Sequence, residues 1–261
     1  MNCKEAAVFI DLENLRYGML NNFGQEPDIS AIVEKAKEYG RLTLMKAYAD
    51  FAEHPKEIQD QLHIAGIEAI NVPVKRRTAM RNGAEVERVK NAADMFMALD
   101  AVAEAVRTDS AEKRKTFVLV TGDGDFTNLV THLKNTFGQI VAILSVPGTV
   151  APNLQQAADY YQFVPVPAIT VCDDRTVRQA LVTMVKAGPA PLRYWTLKLI
   201  DQWAQDARQK IPGTPRQRRN AIGQLGEEGV FTRYPYTDAN TSHSVQAVSL
   251  NEERARELNY I

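Results

Sequence analysis

The chain has 261 residues, with 31 Lys+Arg against 32 Asp+Glu, 45% hydrophobic and 24% charged residues. This ordinary globular usage excludes a wholly disordered or collagen-like chain, and two cysteines, Cys3 and Cys172, exclude a disulfide framework or a Cys-rich zinc site. No apolar run reaches the ~18 residues of a membrane span, and Met1–Glu5 lacks a signal-like stretch, so a soluble cytoplasmic protein with no membrane partner is expected.

The predicted elements alternate. Ala6–Ile10 is a short continuous apolar run ending in Asp11, as in a buried parallel strand. Ile29–Tyr39 has helical spacing, with Asp28 or Ser30 as cap and Gly40 as stop. Leu42–Tyr48 reads as a strand, His54–Ala65 as a helix and Ile67–Val72 as a third strand. Glu85–Val106 reads as one long helix. Thr116–Thr121 is a fourth strand, Asp125–Phe137 a helix, Ile140–Leu144 a fifth strand, Leu154–Ala158 a short helix and Tyr161–Val164 a sixth strand. Strand alternating with helix predicts an α/β fold, a parallel sheet with helices on both faces.

Val164-Pro165-Val166-Pro167 interrupts this order and marks a boundary. The expected division is a domain over 1–165, a linker over 166–173 and a smaller domain over 174–261. Charge shifts at the same place: residues 1–168 hold 18 basic and 22 acidic residues, and 169–261 hold 13 and 10. Beyond it, Arg175–Lys186, Tyr194–Ala207 and Arg216–Glu228 are helical, followed by β-like runs at Val230–Arg233 and Val245–Leu250. Three helices and a hairpin outline a winged-helix-like α+β domain; a helical docking or dimerisation domain, and hence a homodimer, stands beside it.

Ligands of an open parallel sheet bind beyond the carboxyl ends of its strands. Asp11 lies at one such end, and Asp123 and Asp125 lie beyond Val118–Gly122. Asp94, among small and apolar neighbours on the long helix, adds a fourth acid. Asp100 lies about 240° further around that helix and reads as structural. Carboxylates gathered at strand ends repel one another unless a cation neutralises them, and hard oxygen donors without thiolates point to Mg²⁺ or Mn²⁺. Singly, each Asp could be only a turn former, and Asp125 could simply cap the next helix. A dinucleotide fingerprint, a Walker A loop and paired metal-binding histidines are all missing from the sequence.

Phe9-Ile10-Asp11-Leu12-Glu13-Asn14-Leu15, Lys90-Asn91-Ala92-Ala93-Asp94 with Leu99-Asp100-Ala101, and Thr121-Gly122-Asp123-Gly124-Asp125-Phe126 resemble, in order, the motifs of NYN domains, the LabA-like branch of the PIN-like nuclease superfamily. The resemblance covers roughly residues 5–165. It implies a PIN-like Rossmannoid fold and a metal-dependent RNase, with Asp11, Asp94, Asp123 and Asp125 holding Mg²⁺ or Mn²⁺ and Asn14 orienting Asp11 or the scissile phosphate. Metal-activated water would attack in line, without a side-chain nucleophile. Glu13 adds a carboxylate beside the first motif, and loss of activity within the superfamily keeps a non-catalytic RNA-binding or regulatory role as the alternative.

An acidic site repels RNA unless cations hold the strand. Lys75, Arg76, Arg77 and Arg81 are expected in a loop opening at the same edge, where they suit a single-stranded RNA backbone or are only a solvated loop. Tyr17 and Phe23 could stack bases, with buried packing the more ordinary role. In the second domain Arg208, Lys210, Arg216, Arg218 and Arg219 have no acid between them, and Arg216, Arg218 and Arg219 would give a recognition helix a cationic first turn. Trp195 and Trp203 read as either core or interface.

Overall fold

A computed structural model describes residues 5–81, 84–90, 92–108, 114–166, 172–188, 194–206, 209–237 and 244–261; for 75–81 and 84–90 it describes the backbone alone. The chain divides into two compact units, Met1–Leu20 with Gln25–Pro167, and Asn21–Gly24 with Ala168–Ile261.

The first unit is built on six parallel strands: β1 (Glu5–Asp11), β2 (Arg41–Ala49), β3 (Glu68–Asn71), β6 (Thr116–Val120), β7 (Ile140–Ser145) and β8 (Tyr160–Phe163), in the order β3-β2-β1-β6-β7-β8. The chain runs outward from β1 in one direction and resumes at β6 in the other, so β1 and β6 flank the switch point. Their register pairs Ile10 with Val120, which sets Asp11 and Thr121 side by side at the carboxyl edge. Both strands are buried along nearly their whole length, which is why they read as continuous apolar runs.

Helices cover both faces. Ala7, Phe9, Phe117, Leu119, Val141 and Ile143 form one core with α4 (Ala93–Arg107) and α5 (Thr127–Phe137), and the Phe9 and Phe117 rings stack 5.9 Å apart. Alternate residues on β1 face the other way, where α1 (Leu12–Phe23) and α2 (Ile29–Lys37) bury Leu12, Leu15, Met19, Ile29 and Ile32. Asp28, not Ser30, caps α2, accepting from Ala31 N–H at 3.0 Å. Helix α3 (Lys56–Ile64) precedes β3, and α6 (Pro152–Ala157) precedes β8.

The largest departure from expectation lies just before α4. The long helix predicted over Glu85–Val106 begins only at Ala93, because Ala84–Lys90 is a strand, β5, paired antiparallel with β4 (Lys75–Arg81). Lys75, Arg76, Arg77 and Arg81 therefore stand on a strand of a hairpin and not in a loop; their side chains lie outside the described residues. The helices α1 and α10 (Glu252–Glu257) were also not foreseen.

In the second unit α7 (Asp174–Lys186), α8 (Leu197–Gln205) and α9 (Pro215–Glu227) precede an antiparallel pair, β9 (Phe231–Thr237) and β10 (Ser244–Leu250). Thr214 and Gln217 close a capping box at α9. Trp195 belongs to the core: it is buried, donates to the Val185 carbonyl at 3.1 Å and meets Trp203 edge-on at 5.3 Å. Among the described residues no helix is long and apolar enough to cross a membrane.

Candidate nuclease site

The site begins at the last residue of β1. Asp11 is 6% exposed, and both carboxylate oxygens are held: Oδ1 accepts from Asn14 N–H at 3.1 Å and Oδ2 from the Thr121 hydroxyl at 3.0 Å. The Asn14 side chain is committed elsewhere, its Oδ1 accepting from Gly122 N–H at 2.9 Å, so it ties the start of α1 to the turn after β6. Thr121 Oγ1 also accepts from Asp123 N–H at 3.1 Å. The motifs after β1 and β6 are thus one hydrogen-bonded unit.

Gly122 permits this close approach. A Cβ there would lie 2.7 Å from Thr149 Oγ1 and 2.8 Å from the Thr149 carbonyl oxygen, so no side chain fits without backbone movement. Past it, Asp123 caps a single helical turn, Gly124–Phe126, accepting from Asp125 N–H at 2.9 Å. The capping carboxylate is therefore Asp123, and Asp125 lies within the turn, exposed.

Asp94 comes from the first turn of α4. Its neighbours Met95, Phe96 and Leu99 are apolar as read from the sequence, but all three are exposed, so they form a surface and not a buried wall. Asp100 is separate: it accepts from Lys46 Nζ and Tyr48 OH, each at 2.8 Å. Partial burial works against its charge, but these two donors outweigh it and hold its carboxyl below the usual range.

The acids sense one another. Burial, followed by the charges of Asp94 and Asp123, raises the Asp11 carboxyl to about 7 despite its hydrogen bonds. Partial burial of the Asp94 carboxyl, then the charges of Asp123, Glu13 and Asp125, raises it as well. Asp11, Glu13, Asp94, Asp123 and Asp125 thus share one electrostatic field at the carboxyl edge of β1 and β6.

Residues 5–166 match the model of the NYN domain. The chain belongs to the NYN domain family. Members of this family are generally nucleases, which supports a nuclease-type function for the NYN domain here. A solved structure of a protein of unknown function from Vibrio parahaemolyticus is similar, with a TM-score of 0.51 and 25% identity, over 62% of this chain and 94% of that one. Comparison with curated proteins finds no match.

Asp50 was missed in the sequence. It follows the buried Ala47-Tyr48-Ala49 end of β2 as Asp11 ends β1, so the same signal was present. Its carboxylate is used structurally, accepting from Ala52 N–H at 3.1 Å and Val74 N–H at 2.7 Å, and Asp50 N–H in turn reaches Glu13 Oε1 at 3.4 Å. Tyr17 is exposed rather than packed away, with the Arg16 guanidinium 5.9 Å from its ring centre, whereas Phe23 is half-buried.

The basic residues of the second unit divide by role. Arg218 donates to the carbonyls of Ala204 at 3.0 Å and Pro212 at 3.3 Å, closing the carboxyl end of α8. Arg219 lies 3.6 Å from Asp201, and Arg216 is exposed at the start of α9. Arg208 lies outside the described residues.

Proposed function

We propose that the protein is a metal-dependent ribonuclease of the LabA-like branch that hydrolyses single-stranded RNA in the cytoplasm. The reading includes the division into a nuclease domain (1–165), a linker (166–173) and a winged-helix-like domain (174–261) that holds nucleic acid. The observation that carries it is the shared field of Asp11, Asp94, Asp123 and Asp125, which raises two of their carboxyls. A domain that only bound RNA would gain nothing from acids facing phosphates.

The donor set fits Mg²⁺ or Mn²⁺ in its chemistry: anionic oxygens that repel one another. Among the described residues no three of His, Cys, Asp or Glu are arranged to hold an ion. The fit is therefore to a cation that keeps water and takes one or two carboxylates with a substrate phosphate, as Mg²⁺ does. Once bound, such a cation supplies Lewis-acid stabilisation of phosphate charge and a more acidic water. The chain supplies orientation: Asn14 N–H and Thr121 fix Asp11, and Asp123 shapes the turn that presents Asp125. In this reading Asp123 or Asp125 takes the proton of the attacking water.

A fluorescence-quench assay on single-stranded RNA with Mg²⁺, Mn²⁺ or EDTA tests this reading, with duplex RNA and single-stranded DNA as comparisons. Cleavage should require the cation and vanish in Asp11→Asn and Asp123→Asn, with RNA affinity equal or higher. The alternative reading is a non-catalytic RNA-binding or regulatory protein built on an inactive NYN domain. A wild-type protein that binds single-stranded RNAs but leaves a broad panel of them intact with Mn²⁺ would support it over the nuclease.

A further inference from the structure

Beside the acids, α4 and the start of α5 enclose a groove of about 550 Å³, within the size range of small-ligand sites. Its walls are Met95, Ala98, Phe126 and Leu129. Phe126 and Leu129 are buried and form its apolar floor, while Met95 is 59% exposed at its edge. Asn128 and His132 also line it and supply hydrogen-bonding groups. The imidazole of His132 is held, with Nδ1 3.0 Å from Thr136 Oγ1 and the ring edge-on to Phe137 at 5.3 Å.

Charge decides what enters. Asp94 and Asp125 line this groove and also belong to the acidic field described above. Among its described lining residues there is no Lys or Arg, so a phosphate is repelled from its interior. A flat, uncharged ring with a hydrogen-bonding edge meets no such penalty. The thioether of Met95 and the apolar floor suit its faces, and Asn128 and His132 suit its edge.

We propose that this groove is a nucleobase subsite: it takes the base of a nucleotide flanking the phosphate that lies at the acids, and Asn128 and His132 read its edge. The proposal rests on the nuclease reading for its phosphate, but the groove's affinity for a base does not depend on cleavage. Base identity beside the scissile bond then affects turnover, while bases further along the strand do not contact this groove.

Two measurements on the full chain test it. In the first, single-stranded RNAs carry one abasic nucleotide at successive positions around the cleaved bond. One position should lower kcat/KM at least about fivefold, the low end of a stacked base's contribution. The Asn128→Ala/His132→Ala variant, altered only at exposed positions, should lose most discrimination among the four bases there while still cleaving. The second measurement needs no cleavage. Protein labelled at its methionine methyl groups, in EDTA, is titrated with each uncharged nucleoside to about 10 mM, a range that detects millimolar binding. The Met95 resonance, assigned through Met95→Leu, should shift, and should shift less in the double variant.

Cleavage indifferent to every abasic position would overturn the subsite while leaving the nuclease standing. A Met95 shift in a protein that cleaves nothing would support the subsite while the nuclease reading falls. A Met95 resonance that ignores all four nucleosides, but moves with protein concentration, would overturn it in favour of a contact between copies.

Discussion

Asp11→Asn should stabilise the cation-free protein above neutral pH, although it removes the most buried acid of the site. In the folded chain the Asp11 carboxyl is raised from its ordinary 3.8 to about 7, chiefly by burial. At about 1.4 kcal/mol per tenfold change, forcing the charge at pH 8 costs roughly 4 kcal/mol relative to the unfolded chain. That is an upper figure, because local relaxation and water entry offset part of it. The sign follows from proton uptake. Below pH 3.8 both states are protonated and there is no cost; between 3.8 and about 7 the folded state holds the extra proton, so stability falls as pH rises; above about 7 the loss is complete. Asparagine keeps an acceptor for Asn14 N–H and offers its amide to Thr121 Oγ1, so the connection to β6 survives. Denaturant melts in EDTA from about pH 4 to about pH 9 should show the variant and parent converging at the acid end and diverging to a plateau above neutrality. Added Mg²⁺ should narrow the gap by stabilising the parent. A variant less stable than the parent at pH 8 in EDTA, or a gap indifferent to pH, would refute the assignment of an uncompensated buried charge.

Gly122→Ala should destabilise the first unit by about 1–3 kcal/mol and reduce cleavage, because the new Cβ meets Thr149 backbone and displaces the Asp123 turn; melting and the quench assay read both effects together. Asp100→Asn should cost only about 1 kcal/mol, since the group is partly exposed, and that difference should fade as pH falls through the range in which the parent carboxylate protonates, with cleavage kept. Arg218→Ala should lower the melting temperature by removing donors from the α8 end, at about 1–2 kcal/mol. Arg216→Ala should leave melting unchanged while weakening RNA binding and flattening its salt dependence, read by anisotropy at several ionic strengths.

The parallel sheet was legible because its inner strands are buried on both faces and their apolar runs are hard to mistake. The hairpin was not. Its β5 strand, Ala84–Lys90, carries four charged residues and too little alternation to stand against the helical pattern that continues into α4. Asn82-Gly83 was the available signal: such a pair between two runs favours a two-residue hairpin turn, and the register joins Arg81 to Ala84 on either side of it. Giving that local turn preference precedence over periodicity would have moved Lys75, Arg76, Arg77 and Arg81 from a loop to a strand.

For the site, sequence pattern locates an edge but does not assign roles. Asp11 and Asp50 both follow buried runs on neighbouring strands, and only what comes after them in sequence differs, Asn14 three residues beyond the first and Glu53 three beyond the second. What separates them is the donors they meet. Asp50 is stabilised by two backbone amides, from Ala52 and Val74, and serves as a local brace. Asp11 accepts one amide and one hydroxyl, too little to offset its burial beside the charges of Asp94 and Asp123. Of these, Thr121 and Asp123 lie more than a hundred residues along the chain and arrive only when β6 pairs with β1. Two identical strand-end carboxylates thus come to opposite uses, one consumed by the fold and one left with charge to share, and that difference is created by the strand order.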